Sequence, residues 1–431
     1  MDTSAAEGTT TPGDLASVAS QPIDGKDADR IIALSEEEAH AWLHSRFMPG
    51  QRGRVGAELE MLVGVAGTEP FARHYPREGY QALVESLGLN GLEGRLTLEP
   101  GGQVELSSSP ASSLVNLIGS VQRDLALIDE RAARQGARLL GVGLDPARNP
   151  RRILRSPRYD AMESYFRPWQ SAGRAMMCSS ASIQVNVECG TDALGIEPRW
   201  ELLHAIGPAL VAAFANSPYF RGRLTGWKST RQSVWQRLDP ARTGTPPRRR
   251  GETVADGFAR WALDASLMVV RRSGQDWSAP SGVSFRDWIH GGDVVVPGRT
   301  RPTIDDLAYH ASTLFPHIRP KGYFEVRYID ALPGLSWIVP VAVIAALIED
   351  TSAADRAMGL CAPSMNRWAD AARFGMDDQE IARSAEGILA VAASSLRRHH
   401  KTVAAADRVE AYMERWTTRR RSPADDMRIK Q

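Results

Sequence analysis

The chain has 431 residues, of which 43% are hydrophobic and 24% are charged, and these proportions are typical of a globular protein. Its 52 Lys and Arg residues nearly balance its 51 Asp and Glu residues, which argues against a protein that coats nucleic acid or binds an anionic membrane surface. Three cysteines are too few for a disulfide framework and favour a reducing cytoplasm, and no apolar stretch reaches the roughly 18 residues that cross a bilayer.

The domain organisation is predicted from composition along the chain. Residues 1–30 are rich in small and polar residues, which predicts a disordered leader. Ordered structure is expected to begin near Ser35, because Ser35 and Glu38 form the pattern of a helix capping box. Residues 31–418 are predicted to form a single domain with a helical C-terminal third, and the basic residues 419–431 are predicted to form a flexible tail.

Helices dominate the predicted elements. Eight segments have apolar residues at helical spacing, namely 111–136, 158–166, 198–216, 253–272, 303–314, 335–349, 377–396 and 402–418. Arg248–Arg250 lie in a Pro- and Gly-containing loop between them and are predicted to be solvated, with no role in phosphate binding. Many helices around a few scattered strands predict an α+β fold with a mostly antiparallel sheet.

Four segments alternate apolar and polar residues with the period of two that predicts half-buried strands. They are RVGAELEMLV (Arg54–Val63), RLTLEPGGQVELSS (Arg95–Ser108), SSASIQVNVECG (Ser179–Gly190) and GYFEVRYIDALPG (Gly322–Gly334). A Pro-Gly-Gly sequence after Glu99 predicts a turn within the second segment. The polar faces carry acids and amides, namely Glu58 and Glu60, then Gln103, Glu105 and Ser107, then Gln184, Asn186 and Glu188, and finally Glu325 beside Arg327.

The acids on these faces need an explanation. Two carboxylates two positions apart on a strand lie about 7 Å from each other, and they repel unless water or a cation separates them. For one strand alone, a simpler interpretation is that the acids face bulk water. The predicted helices are numerous enough to cover the face, however, and its charges are nearly all negative. Hard divalent cations with oxygen ligands, Mg²⁺ above all, are the natural partners of such a surface.

Motifs of other chemistries are absent from the sequence. There is no GxxxxGK[ST] loop, complete GxGxxG, HExxH, CxxC or GxSxG, and the nine histidines do not have zinc-site spacing. Carboxylates, amides and arginines without catalytic Cys or His favour metal-assisted phosphoryl transfer.

Several of these segments resemble one enzyme family. GAELE with Glu58 and Glu60, EPGGQVELS from Glu99 and SIQVNVE ending at Glu188 are similar to the glutamate–cysteine ligases of the plant and proteobacterial or actinobacterial type. SPRYDAM, STRQSVWQRLDPARTG and GYFEVRYIDALPG agree with the same family, so the resemblance covers roughly residues 50–335 in family order. The chain most resembles the actinobacterial members that act in ergothioneine biosynthesis.

The resemblance implies a cytoplasmic enzyme, a reaction and a fold. In the family, ATP phosphorylates the γ-carboxylate of L-glutamate, and the amine of L-cysteine attacks the acyl phosphate to give γ-glutamylcysteine, ADP and phosphate. Two or three Mg²⁺ ions are expected to accompany ATP. The implied fold is a curved, mostly antiparallel sheet that forms an active-site funnel surrounded by helices, related to glutamine synthetase.

The resemblance also implies individual roles. The implied Mg²⁺ ligands are Glu58, Glu60, Glu99, Glu105 and Glu325. Arg327 and Glu105 are the implied catalytic residues, and Arg327 would stabilise the transferring phosphoryl group. The implied substrate-binding residues are Arg158, Met177, Ser179, Ser180, Gln184, Asn186, Arg231 and Trp235. Among them, Arg158 and Arg231 would bind the α-carboxylate of glutamate. Glu188 stands where relatives often have Asp, which leaves its role as a ligand open.

Two alternatives remain at this stage. A carboxylate–amine ligase of the same fold with another amine substrate would share the metal-binding acids and differ only in its pocket. A catalytically inactive structural or regulatory relative is disfavoured, since without metal it has no reason to keep so many acids on one face. The expected partners are the small-molecule substrates, with no nucleic acid and no membrane, and the sequence does not decide between a monomer and a homodimer.

Overall fold

The computed structural model describes residues 33–48, 54–190, 195–274 and 276–429, so the predicted leader lies outside the described residues. Within these ranges, nine strands form where the sequence alternates or carries short apolar runs. The strands are β1 (Val55–Val65), β2 (Arg95–Leu98), β3 (Val104–Ser107), β4 (Ala137–Leu140), β5 (Ser182–Val187), β6 (Tyr219–Phe220), β7 (Arg223–Leu224), β8 (Ile318–Pro320) and β9 (Phe324–Asp330).

The helices surround the sheet and make up most of the C-terminal third. Those before the last strands are α1 (Glu36–Ser45), α2 (Tyr80–Leu87), α3 (Leu114–Arg134), α4 (Pro157–Tyr165), α5 (Ser171–Ser179), α6 (Ile196–Ala213), α7 (Thr230–Gln236), α8 (Pro240–Thr243), α9 (Val254–Asp264), α10 (Phe285–Gly291) and α11 (Ile304–Ala311). Those that follow are α12 (Ile338–Glu349), α13 (Thr351–Cys361), α14 (Trp368–Phe374), α15 (Gln379–Arg397), α16 (Val403–Arg415) and α17 (Pro423–Asp426). The capping box predicted at Ser35 is present at the start of α1.

The main sheet has the strand order β2-β3-β1-β5-β9-β8, and β4 pairs with the C-terminal half of β1. Every pair of neighbours is antiparallel, which confirms the predicted α+β fold with a mostly antiparallel sheet. The register places Glu60 opposite Glu105, and Glu58 between Ser107 and Gln184. Residues opposite each other point to the same face, so the acids of separate strands are collected on one side of the sheet.

The other face of the sheet is apolar and packs on the buried helices. Val55, Ala57 and Leu59 of β1 are almost completely buried, and so are all residues from Ile338 to Ile348 in α12. Burial on all sides explains why α12 has a continuous apolar sequence. Among the described residues no single helix is long and apolar enough to cross a membrane, and only the pair Gly334–Glu349 and Thr351–Cys361, bent by 111°, meets the criteria of length and composition.

The C-terminal segment differs from its prediction as a flexible basic tail. Ser422 and Ala424 are buried, and the Ala424 N–H donates to the carbonyl of Ala215 at 2.9 Å. Asp426 forms an ion pair with Arg421 within the segment, and Asp425 forms an ion pair with Lys228 of the domain. Composition alone did not reveal that this short acidic helix fits against the domain.

A second difference concerns the helix predicted over 253–272. The helix α9 ends at Asp264, because the following segment forms backbone hydrogen bonds with another part of the chain, as in the bond from Leu267 N–H to the carbonyl of Val283 at 2.7 Å. Apolar spacing does not distinguish a helix from such a buried extended segment.

Buried histidines make the fold sensitive to acid. Burial lowers the pKa of His204 to about 4, and that of His310 and His317 to about 3, from an ordinary value of 6.5. Below pH 6.5 these histidines therefore bind protons in the unfolded chain but not in the folded protein. The free energy of unfolding consequently falls as the pH drops from 6.5 towards 4. The ring of His317 stacks on Trp368 with centroids 3.8 Å apart.

We expect His317→Phe to keep this stacking and to weaken the loss of stability in acid. In thermal unfolding at pH 7 and pH 5, the drop in Tm should be smaller for the variant than for the unchanged protein. The exposed His400 provides a control, because His400→Gln should leave the drop unchanged. An equal drop in His317→Phe and the unchanged protein would refute the role of His317.

Candidate active site

The polar face of the sheet forms the floor of a cavity of about 630 Å³, and α4, α5 and α7 contribute its walls. Most of the predicted site residues line it, namely Glu58, Glu60, Glu99, Glu105, Arg158, Met177, Ser180, Gln184, Asn186, Arg231, Trp235 and Arg327. They come from four strands and three helices that are distant in sequence. The alternation of each strand and the antiparallel register bring them to one place.

The two acids of β1 are held by amides of β5. Glu60 accepts the backbone N–H of Ser182 at 2.8 Å and the side-chain Nε2 of Gln184 at 2.9 Å. Glu58 accepts Nδ2 of Asn186 at 3.1 Å. These hydrogen bonds orient each carboxylate and leave lone pairs that face the cavity.

The hairpin of β2 and β3 supplies the other two acids. Glu105 accepts a hydrogen bond from the hydroxyl of Thr97 at 2.8 Å, and Glu99 directly follows β2 at the turn. A side chain at Gly101 would meet the carbonyl oxygen of Cys178 at 2.2 Å, so only glycine lets the turn lie on α5. This close approach places Glu99 in the cavity.

Mutual repulsion and burial dominate the electrostatics of these acids. Burial, together with the charges of Glu325 and Glu105, raises the pKa of Glu58 to about 7. Burial, together with Glu105 and Glu60, raises the pKa of Glu99 to about 8. The pKa values of Glu60 and Glu105 are raised as well, chiefly by burial. The cavity floor therefore carries more acid than its own cations neutralise, which favours the binding of cations.

Glu325 differs from the other acids because cations of the protein surround it. Its oxygens lie 2.7 Å from Arg319 Nε, 3.0 Å from Lys321 Nζ and 2.7 Å from Arg327 Nη1. These cations hold the pKa of Glu325 well below its usual range despite the opposing effect of burial. Glu325 is completely buried and does not line the cavity. A metal ion at Glu325 would have to displace one of these cations, and Lys321, 37% exposed and 4.0 Å from Glu58, is the most accessible.

Arg327 connects this ion cluster to the acids of β1. Its Nη1 donates to Oε1 of Gln184 at 2.5 Å and to Glu325 at 2.7 Å, and Gln184 in turn donates to Glu60. The guanidinium is fixed from two sides, and its side chain is only 12% exposed. Fixed positive charge at the floor of a buried cavity is suited to stabilise negative charge that develops during a reaction.

Two arginines extend from the helical walls. The guanidinium of Arg231, on α7, lies 4.7 Å from the ring centre of Trp235, and its Nη2 donates to the carbonyl of Arg327 at 2.8 Å. Arg158, on α4, contacts the hydroxyl and the carbonyl of Ser312 at 3.2 and 3.3 Å. Both line the same cavity as the acids, so its lining includes guanidinium groups that can bind an anionic ligand group.

The segment before β5 is only partly as predicted. Met177 and Ser180 line the cavity, but Ser179 does not, and its carbonyl accepts the backbone N–H of Asp145 at 2.8 Å. The reason is that α5 continues to Ser179 and β5 begins only at Ser182, three residues after the start of the predicted strand segment. Sequence reasoning also missed several residues of the wall, namely Thr97, Tyr159, Met162, Met176, Ser312, Phe315, Arg319, Lys321 and Tyr323. Thr97 and Tyr323 lie within two of the four predicted strand segments. The other residues lie outside those segments, so strand alternation did not predict that they face the cavity.

Comparison with known proteins identifies the family. The model of the glutamate-cysteine ligase family 2 (GCS2) matches residues 54–431. The chain belongs to this family. Glutamate–cysteine ligase EgtA of Mycobacterium tuberculosis is 37% identical over 419 residues, which are 96% of this chain and 94% of that protein. EgtA of Mycolicibacterium smegmatis is 36% identical over 91% of this chain and 90% of that protein.

A more distant relative and a solved structure are also similar to the chain. The chloroplastic glutamate–cysteine ligase of Nicotiana tabacum is 30% identical over 74% of this chain and 64% of that protein. The crystal structure of glutamate–cysteine ligase gshA of Francisella tularensis in complex with AMP has a TM-score of 0.52 and 13% identity, and the match covers 86% of this chain and 83% of that one. The last likeness concerns the fold alone, and it agrees with the predicted fold class.

The four cavity acids of this glutamate–cysteine ligase family member fit magnesium in number and type. Within the described ranges, no three His, Cys, Asp or Glu side chains converge on a single ion position. Mg²⁺ in nucleotide sites is usually bound by one or two carboxylates, with waters and phosphate oxygens as the other ligands, so a three-acid cage is not required. Burial, together with repulsion by the neighbouring acids, raises the pKa of Glu58 and of Glu99, and a cation bound at these carboxylates would offset both effects. The donor set therefore fits Mg²⁺ brought together with a nucleotide.

Proposed function

We propose that the protein is an ATP-dependent glutamate–cysteine ligase. It joins the γ-carboxylate of L-glutamate to the amine of L-cysteine, and γ-glutamyl phosphate is the intermediate. The observation that carries this proposal is one cavity lined by four glutamates, three of them oriented by hydrogen bonds, together with Arg158, Arg231 and Arg327. The match of the family over 54–431 and the EgtA relatives support the same reaction.

The reaction brings two anionic substrates, glutamate and ATP, to the acidic floor of the cavity. The γ-carboxylate oxygen of glutamate attacks the γ-phosphorus of ATP and ADP leaves; the cysteine nitrogen then attacks the acyl carbon and phosphate leaves. Bound Mg²⁺ would neutralise phosphate and carboxylate charges as a Lewis acid. We propose that Glu58, Glu60, Glu99 and Glu105 hold two or three such ions. Glu325 is proposed as a further Mg²⁺ ligand only if its ion pair with Lys321 is broken.

The remaining residues are proposed to position the substrates. Arg327 stabilises the phosphoryl group during transfer, since its guanidinium is fixed at the floor of the cavity. Arg158 and Arg231 bind the α-carboxylate of glutamate from the walls. Further contacts to the amino acids come from Met177, Ser180, Gln184, Asn186 and Trp235, whereas Ser179 leaves the proposed set because it does not face the cavity. Glu188 lines the cavity mouth, and its ligand role stays open.

The proposed reaction is tested by ADP release from ATP with glutamate and Mg²⁺. We expect release to depend on cysteine and to stop when EDTA removes the metal, because both half-reactions need the charges of the cavity neutralised. Replacement of cysteine by 2-aminobutyrate, which lacks the thiol, shows whether the thiol itself is recognised. Full activity with other amines and none with cysteine would indicate a different ligase, and no ADP release would refute the proposed activity.

The likeness to EgtA supports further proposals about the pathway, the cellular compartment and the partners of the protein. We propose that the product enters ergothioneine biosynthesis and that the enzyme acts in the cytoplasm. Its partners are proposed to be the three small-molecule substrates, with no nucleic acid and no membrane. Arg248 forms ion pairs with Glu197 and Glu201, which argues against its use in binding nucleic acid.

A further inference from the structure

A buried acid behind the cavity has no part in the proposed reaction. Asp330, at the end of β9, is 2% exposed. Its Oδ2 accepts the backbone N–H of Asn216 at 2.9 Å and the hydroxyl of Ser217 at 2.7 Å, and its Oδ1 accepts the hydroxyl of Ser229 at 3.0 Å. Arg231 Nη1 lies 3.8 Å from Oδ1. A buried carboxylate with this many partners holds each of them in place.

The partners of Asp330 fix the beginning of α7. Ser229 caps the helix, because its hydroxyl accepts the N–H of Gln232 at 3.2 Å. The hydroxyl of Ser217 accepts the N–H of Arg231 at 3.2 Å, and the carbonyl of Ser217 accepts the N–H of Thr230 at 2.9 Å. Asp330 therefore links β9, on the floor, to the helix that carries Arg231.

The side chain of Arg231 is buried but incompletely paired. Its Nη2 donates to the carbonyl of Arg327, whereas Nε and Nη1 have no hydrogen-bond partner among the described residues. The guanidinium lines the cavity and contacts the face of Trp235. Buried N–H groups of a guanidinium without acceptors cost free energy, and a carboxylate ligand would supply those acceptors.

The position of Asp330 leaves no room for a shift. A side chain at Gly143 would meet Cγ of Asp330 at 2.3 Å, so the carboxylate lies directly against the backbone. The N–H of Gly143 also donates to the carbonyl of Asn216 at 3.1 Å. Because the acid is fixed, it can define the position of whatever it binds.

We propose that Asp330 is a positioning residue: it fixes Arg231 at the wall of the cavity and thereby sets the affinity for the α-carboxylate of the acid substrate. This inference rests on the role that we propose for Arg231 in glutamate binding. Asp330 itself does not touch the substrate. Loss of its charge would free the start of α7 and the guanidinium together.

The test is the Asp330→Asn variant, which keeps the shape of the side chain and removes its charge. We expect the KM for glutamate to rise about 10- to 100-fold, because small displacements of a binding group have effects of this size. The KM for ATP should be unchanged, and kcat should fall less than the KM for glutamate rises. A purely structural role would instead reduce the active fraction, which lowers kcat and leaves KM unchanged. Such a result would overturn the inference.

A second variant covers the case in which Asp330→Asn does not fold. Ser217→Ala removes only the hydroxyl that joins Asp330 to the N–H of Arg231, and it should raise the KM for glutamate in the same direction with a smaller effect. The matched control is Asp124→Asn, since Asp124 is also 2% exposed and accepts two backbone N–H groups. An increase in KM for glutamate in the control as large as in Asp330→Asn would overturn the inference.

A double-mutant cycle separates this inference from the proposed function. Arg231→Met should raise the KM for glutamate, and adding Asp330→Asn to it should produce no further increase, because both act through the same guanidinium. Additive effects would overturn the inference and leave the role of Arg231 intact. An unchanged KM in Arg231→Met would overturn the role of Arg231 and the inference with it.

Discussion

Replacement of Glu105 by Gln is expected to reduce cysteine-dependent ADP release by about a thousandfold, which corresponds to about 4 kcal/mol of lost transition-state stabilisation. Glu105 lies opposite Glu60 in the sheet register and is proposed to hold Mg²⁺ with it. Gln keeps the size of the side chain and the acceptor for Thr97 but removes the negative charge. The measurement is kcat at saturating substrates and Mg²⁺.

The same substitution should stabilise the protein when metal is removed. The pKa of Glu105 is raised by burial and by the charge of Glu60, so the ionised acid disfavours folding in the absence of cations. A raised pKa means that the penalty is absent below pH 4.5 and grows as the pH rises through the folded-state pKa. In EDTA, the Tm of Glu105→Gln should therefore exceed that of the unchanged protein, and by more at pH 8 than at pH 5.

A surface acid provides the control for both measurements. Glu93 is 51% exposed and forms an ion pair with Arg123, so Glu93→Gln should change neither kcat nor the response of Tm to EDTA. Full turnover in Glu105→Gln would refute the metal-binding role of Glu105. In EDTA, a Tm of Glu105→Gln below that of the unchanged protein would refute the proposed repulsion among the cavity acids.

Arg327→Lys is expected to lower kcat by about 100- to 1,000-fold, the range found when a fixed charge that stabilises a transition state is removed. The guanidinium of Arg327 donates to Gln184 and Glu325 simultaneously. An ammonium group has no planar fork, so Lys cannot keep both contacts and also face the phosphoryl group. Single-turnover measurement of acyl-phosphate formation should show the loss in the first half-reaction.

Arg319→Lys is the matched comparison, because Arg319 also forms an ion pair with Glu325. If Arg327 served only to neutralise Glu325, the two substitutions would lower kcat equally. We expect a much smaller effect for Arg319→Lys. Equal effects would show that Arg327 has no special role in phosphoryl transfer.

Strand alternation predicted the acid-lined face of the sheet because it depends only on the local period of two. The positions of Glu58, Glu60 and Glu105 on one face follow from that period, and the antiparallel register then brings them together. Alternation also predicted a strand from Ser179, where α5 continues instead, whereas the binding role of Ser179 was implied by the family resemblance. Alternation left out Lys321, because a residue in a tight hairpin has no alternation to place it.

Local sequence patterns do not predict which charged and polar groups surround each site residue. The period of two places Arg327 beside Glu325, but it does not indicate that Arg319 and Lys321 would also neutralise this acid, since that depends on how a hairpin folds back. Asp330 likewise acts through residues more than a hundred positions away, such as Asn216 and Ser217. The tertiary fold determines which distant polar side chains pair, and this cannot be predicted from secondary-structure propensity or from the period of the hydrophobic pattern.

The packed C-terminal segment has a practical consequence for handling the protein. Asp425 pairs with Lys228, which immediately precedes Ser229, the cap of α7 and a partner of Asp330. A deletion that begins at Ser422 would therefore disturb an anchor of the segment that leads into α7. Kinetic work on this enzyme is best done with residues 422–426 intact.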